Sequence, residues 1–272
     1  MTSEAPNKSN SRWWRWPSSL DSTLLALGLL LLWEAVVRIG EVPSYLLPPP
    51  SAIFVRIVAD HSLLLMHTLV TANEVVVGFA LAIVVSIPLA AILAQFRTLE
   101  RALYPILVAS QTIPKVAIAP LIVVWFGFGL FPKIVIAFLI CFFPIVIDSL
   151  IGFRSTPKEV IWLARSMGAP RRKIFLNFQL PGALPNIFAG LKVASTLAVV
   201  GAVVGEFVAA DSGLGYQLIV ANGTLDVGLS FAILVVLSLV GIALFAVVDL
   251  AERLLLPWHV SHRTSGHGKE KS

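Results

Sequence analysis

The chain of 272 residues is 57% hydrophobic and only 13% charged, with a mean hydropathy of +0.89. A water-soluble domain cannot hide that much apolar side chain, whereas a bilayer solvates it, so the composition excludes a soluble protein and indicates several membrane passages. The net charge of +5 and pI of 9.6 come from basic residues lying between apolar runs, which points to membrane topology and away from nucleic acid.

Residues 1–20 are polar, with Lys8, Arg12 and Arg15 interleaved with Trp13, Trp14 and Trp16, the pattern of a cytoplasmic tail at the membrane–water interface. A first span is expected over 21–40; no small-x-small site follows it, so it reads as uncleaved. The connector 41–62 contains three consecutive prolines at 48–50 and Ser51, which can cap a short amphipathic helix, and is expected outside the cytoplasm. Residues 63–253 then form the main transmembrane domain. Its first span, about 67–95, contains Pro88, a kink position. The next, about 102–126, contains Pro105, Pro114 and Pro120 and cannot be one straight helix; broken helices in membranes usually line something. Phe126-Gly127-Phe128-Gly129 makes an outer turn, and a span over about 131–153 returns inward past Pro144. Two further spans are expected at about 187–208 and 229–251, separated by the glycine-rich turn Asp211-Ser212-Gly213-Leu214-Gly215. Residues 254–272 form a charged cytoplasmic tail.

Lys and Arg test this arrangement. Residues 1–20 carry three, 96–101 two, 153–181 six and 252–272 four, so 15 of 20 fall on one side. Arg56 and Lys133 are assigned to outer connectors, and Arg38, Lys115 and Lys192 lie in or near spans. Six spans with both termini cytoplasmic follow.

The stretch 156–181 is the one long basic interval. Thr156, Pro157 and Glu159 have the spacing of a capping box that opens a helix, with Val160, Ala164 and Met167 as its apolar stripe. Gly168 suits the left-handed residue that ends it. After Ala169-Pro170, Arg171-Arg172-Lys173 opens a second short helix over 174–179, expected to stop at Leu180-Pro181. Arg171, Arg172 and Lys173 read first as a topology signal.

Enzyme motifs are missing: no G-x-x-x-x-G-K-[ST], H-E-x-x-H, CxxC or G-x-S-x-G occurs, and His61, His67, His259, His262 and His267 are scattered. The lone Cys141 permits no intrachain disulfide and reads as a packing residue. Glu34 and Asp249 read as interfacial, and Glu206, at the outer end of a span, as an interfacial carboxylate before a gate.

Ala164, Gly168, Leu180 and Pro181 reproduce the spacing of the cytoplasmic signature loop, E-A-A, three residues, G, nine residues, I-x-L-P, of bacterial ABC importer permeases. LPPPSAI at 47–53, PKVAIAPLIVVWFGFG at 114–129 and GEFVAADSGLGY at 205–216 agree, so residues 45–258 resemble the nitrate/sulfonate/taurine branch of that family. The resemblance implies an all-α integral membrane protein of the type I importer fold in the bacterial cytoplasmic membrane. It also implies a coupling helix seated on a separate ATP-binding cassette subunit, a periplasmic or surface substrate-binding protein, and a second permease copy. ATP then belongs to the separate subunit, and no catalytic, cofactor or metal residue is expected in this chain. Trp162-Leu163 stands where the signature has Glu-Ala, and Phe178 where it has Ile. Glu159, one turn earlier, carries two readings, a cap or a substitute for the missing glutamate.

Gln111, Thr112 and Lys115 beside Pro114 are candidate path-lining residues, suited to a small anion such as a sulfonate, nitrate or carboxylate; pyrimidine precursors are the other substrate class the branch handles. The competing reading for Lys115 is an interface position or a pair with Glu74 or Asp148. The rival function is an ion-coupled secondary transporter using Glu74, Asp148 and Lys115 as a relay; no internal repeat supports it, and the coupling loop has no purpose there.

Overall fold

A computed structural model describes residues 19–209 and 211–257, with side chains from residue 23 onward. The aromatic-basic tail 1–18, Ala210, His259, His262, His267 and the tail from 258 lie outside the described residues. Within them the structure is helical throughout: α1 Ser19–Ile39, α2 Pro50–Ala59, α3 His61–Gln95, α4 Arg97–Gln111, α5 Lys115–Phe126, α6 Leu130–Arg154, α7 Lys158–Ser166, α8 Arg171–Ile174, α9 Leu180–Ala209, α10 Leu214–Gly223 and α11 Val227–Leu255. A π turn, Phe175–Gln179, joins α8 to α9.

Four of these are each long and apolar enough to cross a bilayer: α3, α6, the continuous run Arg171–Ala209, and α11. The pair α4–α5 makes a fifth if taken as one broken span, bent by 98°. The expected break at Pro114 is therefore present, between Gln111 and Lys115, and Pro114 itself is extended (φ −64°, ψ 103°) because its ring excludes the helical hydrogen bond. The sixth expected span corresponds to α1, which is not among these five; it carries Glu34 and Arg38 in its last two turns. Those two charges do not point into lipid unpaired. Glu34 accepts from Arg38 Nε at 2.5 Å and from the Ser51 amide and hydroxyl at 3.0 and 2.7 Å, tying α1 to the start of α2. Trp33 meets Phe231 of α11 (centroids 6.0 Å apart), and the Leu-rich remainder of α1 is exposed.

The centre of the bundle is α3, α6 and α9. Lipid tails are as apolar as leucine, so packing between spans rests on close approach of small residues. Ala137 of α6 is fully buried between Gly78 of α3 and Gly201 of α9. A Cβ at Gly201 would come within 2.7 Å of the Ala137 Cα, and one at Gly78 within 2.6 Å of its Cβ, so these helices touch backbone to backbone. Cys141, at 0% exposure, donates to the Ala194 carbonyl across the same seam and is a packing residue.

Lys133 is not in a connector. It lies in the first turn of α6 at 3% exposure, and its Nζ donates to Glu74 Oε1 of α3 at 2.8 Å. Lys133 falls inside the span expected over about 131–153, and counting it with the outer connectors misplaced it. Inside the bilayer a lone charge of either sign is costly, and pairing is what allows both to be buried. Lys192 of α9 is handled the same way, held by Asp249 at 2.6 Å and Glu252 at 2.5 Å on α11. Asp249 is thus an inter-helix partner as well as a residue near a span end.

Lys133→Met is expected to destabilise the protein by about 3–5 kcal/mol, because it strands a buried carboxylate. The Lys133→Met/Glu74→Met pair should recover most of that loss. Thermal unfolding of the detergent-solubilised protein measures both, and a single variant as stable as the parent would remove the ion pair as the tie between α3 and α6.

Candidate coupling surface and translocation path

The basic interval folds as two short helices at an angle. Gly168 adopts φ +77°, the left-handed conformation expected of a helix-ending residue, while the Ala169 amide donates to Ala164 O at 3.0 Å and the Gly168 amide to Arg165 O at 2.9 Å. A Cβ at Gly168 would meet no atom within 4 Å, so glycine is required by backbone conformation and not by crowding. Ala164 faces inward at 6% exposure, as does Ile174 of α8 at 4%.

Three expectations for this loop fail. The capping box is not made: α7 begins at Lys158 with Pro157 as the preceding residue, and no side chain caps it. Thr156 Oγ1 is buried with no hydrogen-bond partner, and Glu159 is exposed in the first turn. Pro157, fixed near φ −55° and ψ 137°, takes the position that Thr156 would need in order to face the helix amides. Nor does Met167 continue the buried stripe, since it is 79% exposed beside Trp162 at 61% and Leu163 at 63%. Finally, Pro181 does not stop a helix. The chain widens into the π turn, where the Leu180 amide reaches back to Phe175 O, and continues through half-buried Leu180 and Pro181 into α9. The wider turn gives room to the proline ring, which in an α-helix would clash with the carbonyl four residues earlier.

At the end of the bundle opposite the Gly168 loop, GEFVAADSGLGY builds a buried helix cap. Glu206 of α9 is 1% exposed, not interfacial. Its Oε2 accepts from the Gly215 amide at 2.5 Å and its Oε1 from Thr71 Oγ1 at 2.6 Å, while the Leu214 amide donates to Thr71 Oγ1 at 2.8 Å and the Gly213 amide to His67 Nδ1 at 3.0 Å. Three amides at the start of α10 are thereby satisfied by side chains of α3 and α9, which buried backbone donors require. Gly213 (φ +112°) and Gly215 are glycines because a Cβ at either would run into the Glu206 carboxylate. Two cavities, about 590 and 440 Å³, open on either side of this cap; both are bordered by Gly129 and Asp211, one reaching Glu206 and Tyr216 and the other Glu74 and Lys133. His67 and Thr71 had no signal in a single sequence beyond being polar residues in an apolar run. Glu74 and Lys133 had one, opposite charges at the same end of two neighbouring spans.

Gln111, Thr112 and Lys115 are brought together at the α4–α5 bend. Gln111 and Thr112 are exposed, and the Thr112 hydroxyl turns back on Ala109 O at 2.7 Å. Lys115 is half-buried with Nζ 4.9 Å above the centroid of Phe143, a cation–π contact to α6. It does not pair with Glu74, which belongs to Lys133, nor with Asp148, which is half-buried against Gly190 of α9. The relay of Glu74, Asp148 and Lys115 is therefore not assembled.

The comparisons with known proteins agree with this geometry. The model of the family described as "Binding-protein-dependent transport system inner membrane component" matches residues 82–258. The riboflavin transport system permease protein RibX of Chloroflexus aurantiacus is 40% identical over 264 residues, 96% of this chain and 98% of that protein. The formylaminopyrimidine transport permease protein ThiX of Halalkalibacterium halodurans is 40% identical over 88% of this chain and 96% of its own length, and the taurine transport system permease protein TauC of Escherichia coli 29% identical over 90% and 93%. Among solved structures, an inward-facing conformation of the MetNI methionine ABC transporter superposes with a TM-score of 0.62 at 22% identity, over 72% of this chain and 98% of that one. The chain belongs to the family of binding-protein-dependent inner membrane transport components and is a multi-pass permease subunit of an ABC importer for a small solute, a transport protein and not an enzyme.

Proposed function

We propose that two copies of this chain enclose a path across the cytoplasmic membrane, with both termini cytoplasmic and α1 as a sixth, lipid-facing span. A separate cassette subunit binds ATP and docks on α7 and the Gly168 turn, and a substrate-binding protein delivers the solute at the outer end. The observation that carries this reading is the patch of Trp162, Leu163 and Met167. All three are large, apolar and exposed, Trp162 and Leu163 on the nine-residue α7 beside Lys158, Glu159 and Arg165 and Met167 just past its end, so this chain's own core does not cover them. Such a patch beyond the ends of the spans suits a protein partner. It also explains how the loop can dispense with the usual Glu-Ala: Trp162 and Leu163 supply apolar anchors where the signature has a charge and a methyl. Glu159, exposed one turn earlier, is free to meet a cation of the partner.

For the cargo, we infer a small planar heterocycle of pyrimidine or flavin type in preference to a sulfonate. The riboflavin and formylaminopyrimidine permeases share 40% of residues with this chain and the taurine permease 29%. An anion drawn by Lys115 is the second reading, supported by the absence of any carboxylate paired with it among the described residues.

Three outcomes are expected. Trp162→Asp with Leu163→Asp should cut co-purification of the cassette subunit by at least about tenfold, the scale of losing an interface anchor, while leaving helicity unchanged; undiminished co-purification would place the docking surface elsewhere. Thr112→Cys should form a disulfide-linked homodimer under mild oxidation, since Cys141 is fully buried and leaves the new thiol alone; a chain that stays monomeric on non-reducing gels would move the bend away from the subunit interface. In vesicles carrying the complete transporter, Lys115→Gln should lower uptake of the transported solute, and transport unchanged across substrate concentrations would remove Lys115 from the path.

A further inference from the structure

One cavity, of about 390 Å³, is lined by more charged side chains than the other cavities described. It lies where the end of α3 and the start of α4 meet the end of α6, the first turn of α7 and the π turn, and its polar lining is Arg97, Glu100, Arg101, Arg154, Thr156 and Lys158, with Gln179. Glu100 is 4% exposed and committed to an ion pair with Arg154. That leaves Arg97, Arg101 and Lys158 around the cavity, none with an ion-pair partner among the described residues.

The positive-inside rule accounts for cations at this end of the spans but not for the rest of the lining. Thr156 Oγ1 is buried in the wall with no hydrogen-bond partner, pressed against Gly182, where an added Cβ would lie 3.2 Å from it. The first turn of α7, which supplies Lys158 to the same wall, has no side-chain cap. The cavity thus gathers two guanidinium groups, an ammonium, an orphan hydroxyl and a free helix N-terminus. Its one carboxylate is already neutralised. That is the donor set of a site for a compact, multiply hydrogen-bonding anion.

We propose that this pocket binds a phosphate group and that its source is the headgroup of an anionic phospholipid. Basic pockets between the cytoplasmic ends of spans suit such headgroups, and Phe96 and Leu99, exposed at 60% and 38% beside Arg97 and Arg101, would meet the acyl chains. A soluble phosphate ester presents the same oxygens. The assignment to the inner leaflet rests on the orientation proposed above; the donor set does not. Because Arg97 and Arg101 belong to α4 while Thr156 and Lys158 belong to the coupling loop and its first helix, an occupant bonds the loop to the spans. The lipid then becomes a positioning element for α7, and membrane composition a control on docking.

The test is native mass spectrometry of the full chain in detergent, titrated with dioleoylphosphatidylglycerol or dioleoylphosphatidylcholine, with inorganic phosphate as a third arm. Retention of the phosphatidylglycerol about tenfold above the phosphatidylcholine is expected, because both phosphodiesters can accept from the two guanidiniums but the cations around the cavity repel the trimethylammonium that only the choline lipid carries. Arg101→Gln and, separately, Thr156→Val should each reduce that retention several-fold at unchanged thermal stability. Thr156→Val guards against misfolding of the charge variant, since it is nearly isosteric. Competition by millimolar phosphate with no preference between lipids would support the pocket and assign it a soluble source. Equal retention of both lipids with no phosphate binding, or two stable variants that hold the glycerol lipid as the parent does, would overturn the proposal. No cassette subunit or cargo enters the assay, so its failure leaves the permease reading intact.

Discussion

The constraint on which this structure depends is that polar groups at membrane depth must find their partners inside the protein. The outer half of the bundle is built around that requirement. Glu74 and Lys133 neutralise one another between α3 and α6, and Glu206 with Thr71 and His67 closes the amides of α10. Four helices, of which only α9 and α10 are consecutive in the chain, are thereby fixed in register. Apolar contact alone would leave them free to slide, because a leucine surface is satisfied as well by lipid as by another leucine. A hydrogen bond of 2.5–3.0 Å has no such tolerance.

Beneath this polar clasp the α3–α6–α9 seam is made of small residues. From Arg171 to Ala209 the chain is one helical run of 39 residues, about 58 Å at the usual rise. One end is the loop next to Gly168, and the other carries Glu206. A single helical rod thus joins that loop to the cap of α10 and the two cavities beside it. The soft place in that rod is the π turn at Phe175–Gln179, where the hydrogen-bond ladder is already offset and Phe175 stacks on Phe153 of α6, ring centroids 5.4 Å apart.

How much of this was legible in the sequence follows from which signals are local. The long apolar runs, the break at Pro114 and the left-handed glycine at 168 depend on a few adjacent residues and emerge as expected. The capping box and the stop at Pro181 were local inferences too, and both failed for the same reason: a proline has more than one way to be accommodated. Pro157 occupies the cap position itself, and Pro181 is absorbed by a wider turn. The cap over the α10 amides could not be read at all. His67 and Gly213, or Thr71 and Leu214, are more than 140 residues apart, and no periodicity links them. A single chain announces that Glu74, Lys133 and Glu206 are costly where they stand; only the packing says which settles which.

The charges within the spans divide by whether this chain alone can neutralise them. Lys133 and Lys192 are each held by carboxylates of a neighbouring helix, at 2.5–2.8 Å, and their environment is complete in one copy. Lys115 has an aromatic face and no carboxylate, and it sits at the sharpest bend in the molecule beside exposed Gln111 and Thr112. A cation left in that state is stable only if something from outside the chain, water, a second subunit or cargo, shares its solvation. The same argument applied where the coupling loop meets the spans singles out Arg97, Arg101 and Lys158 around an unpartnered hydroxyl. In both places the described residues stop short of satisfying the chain's own charges.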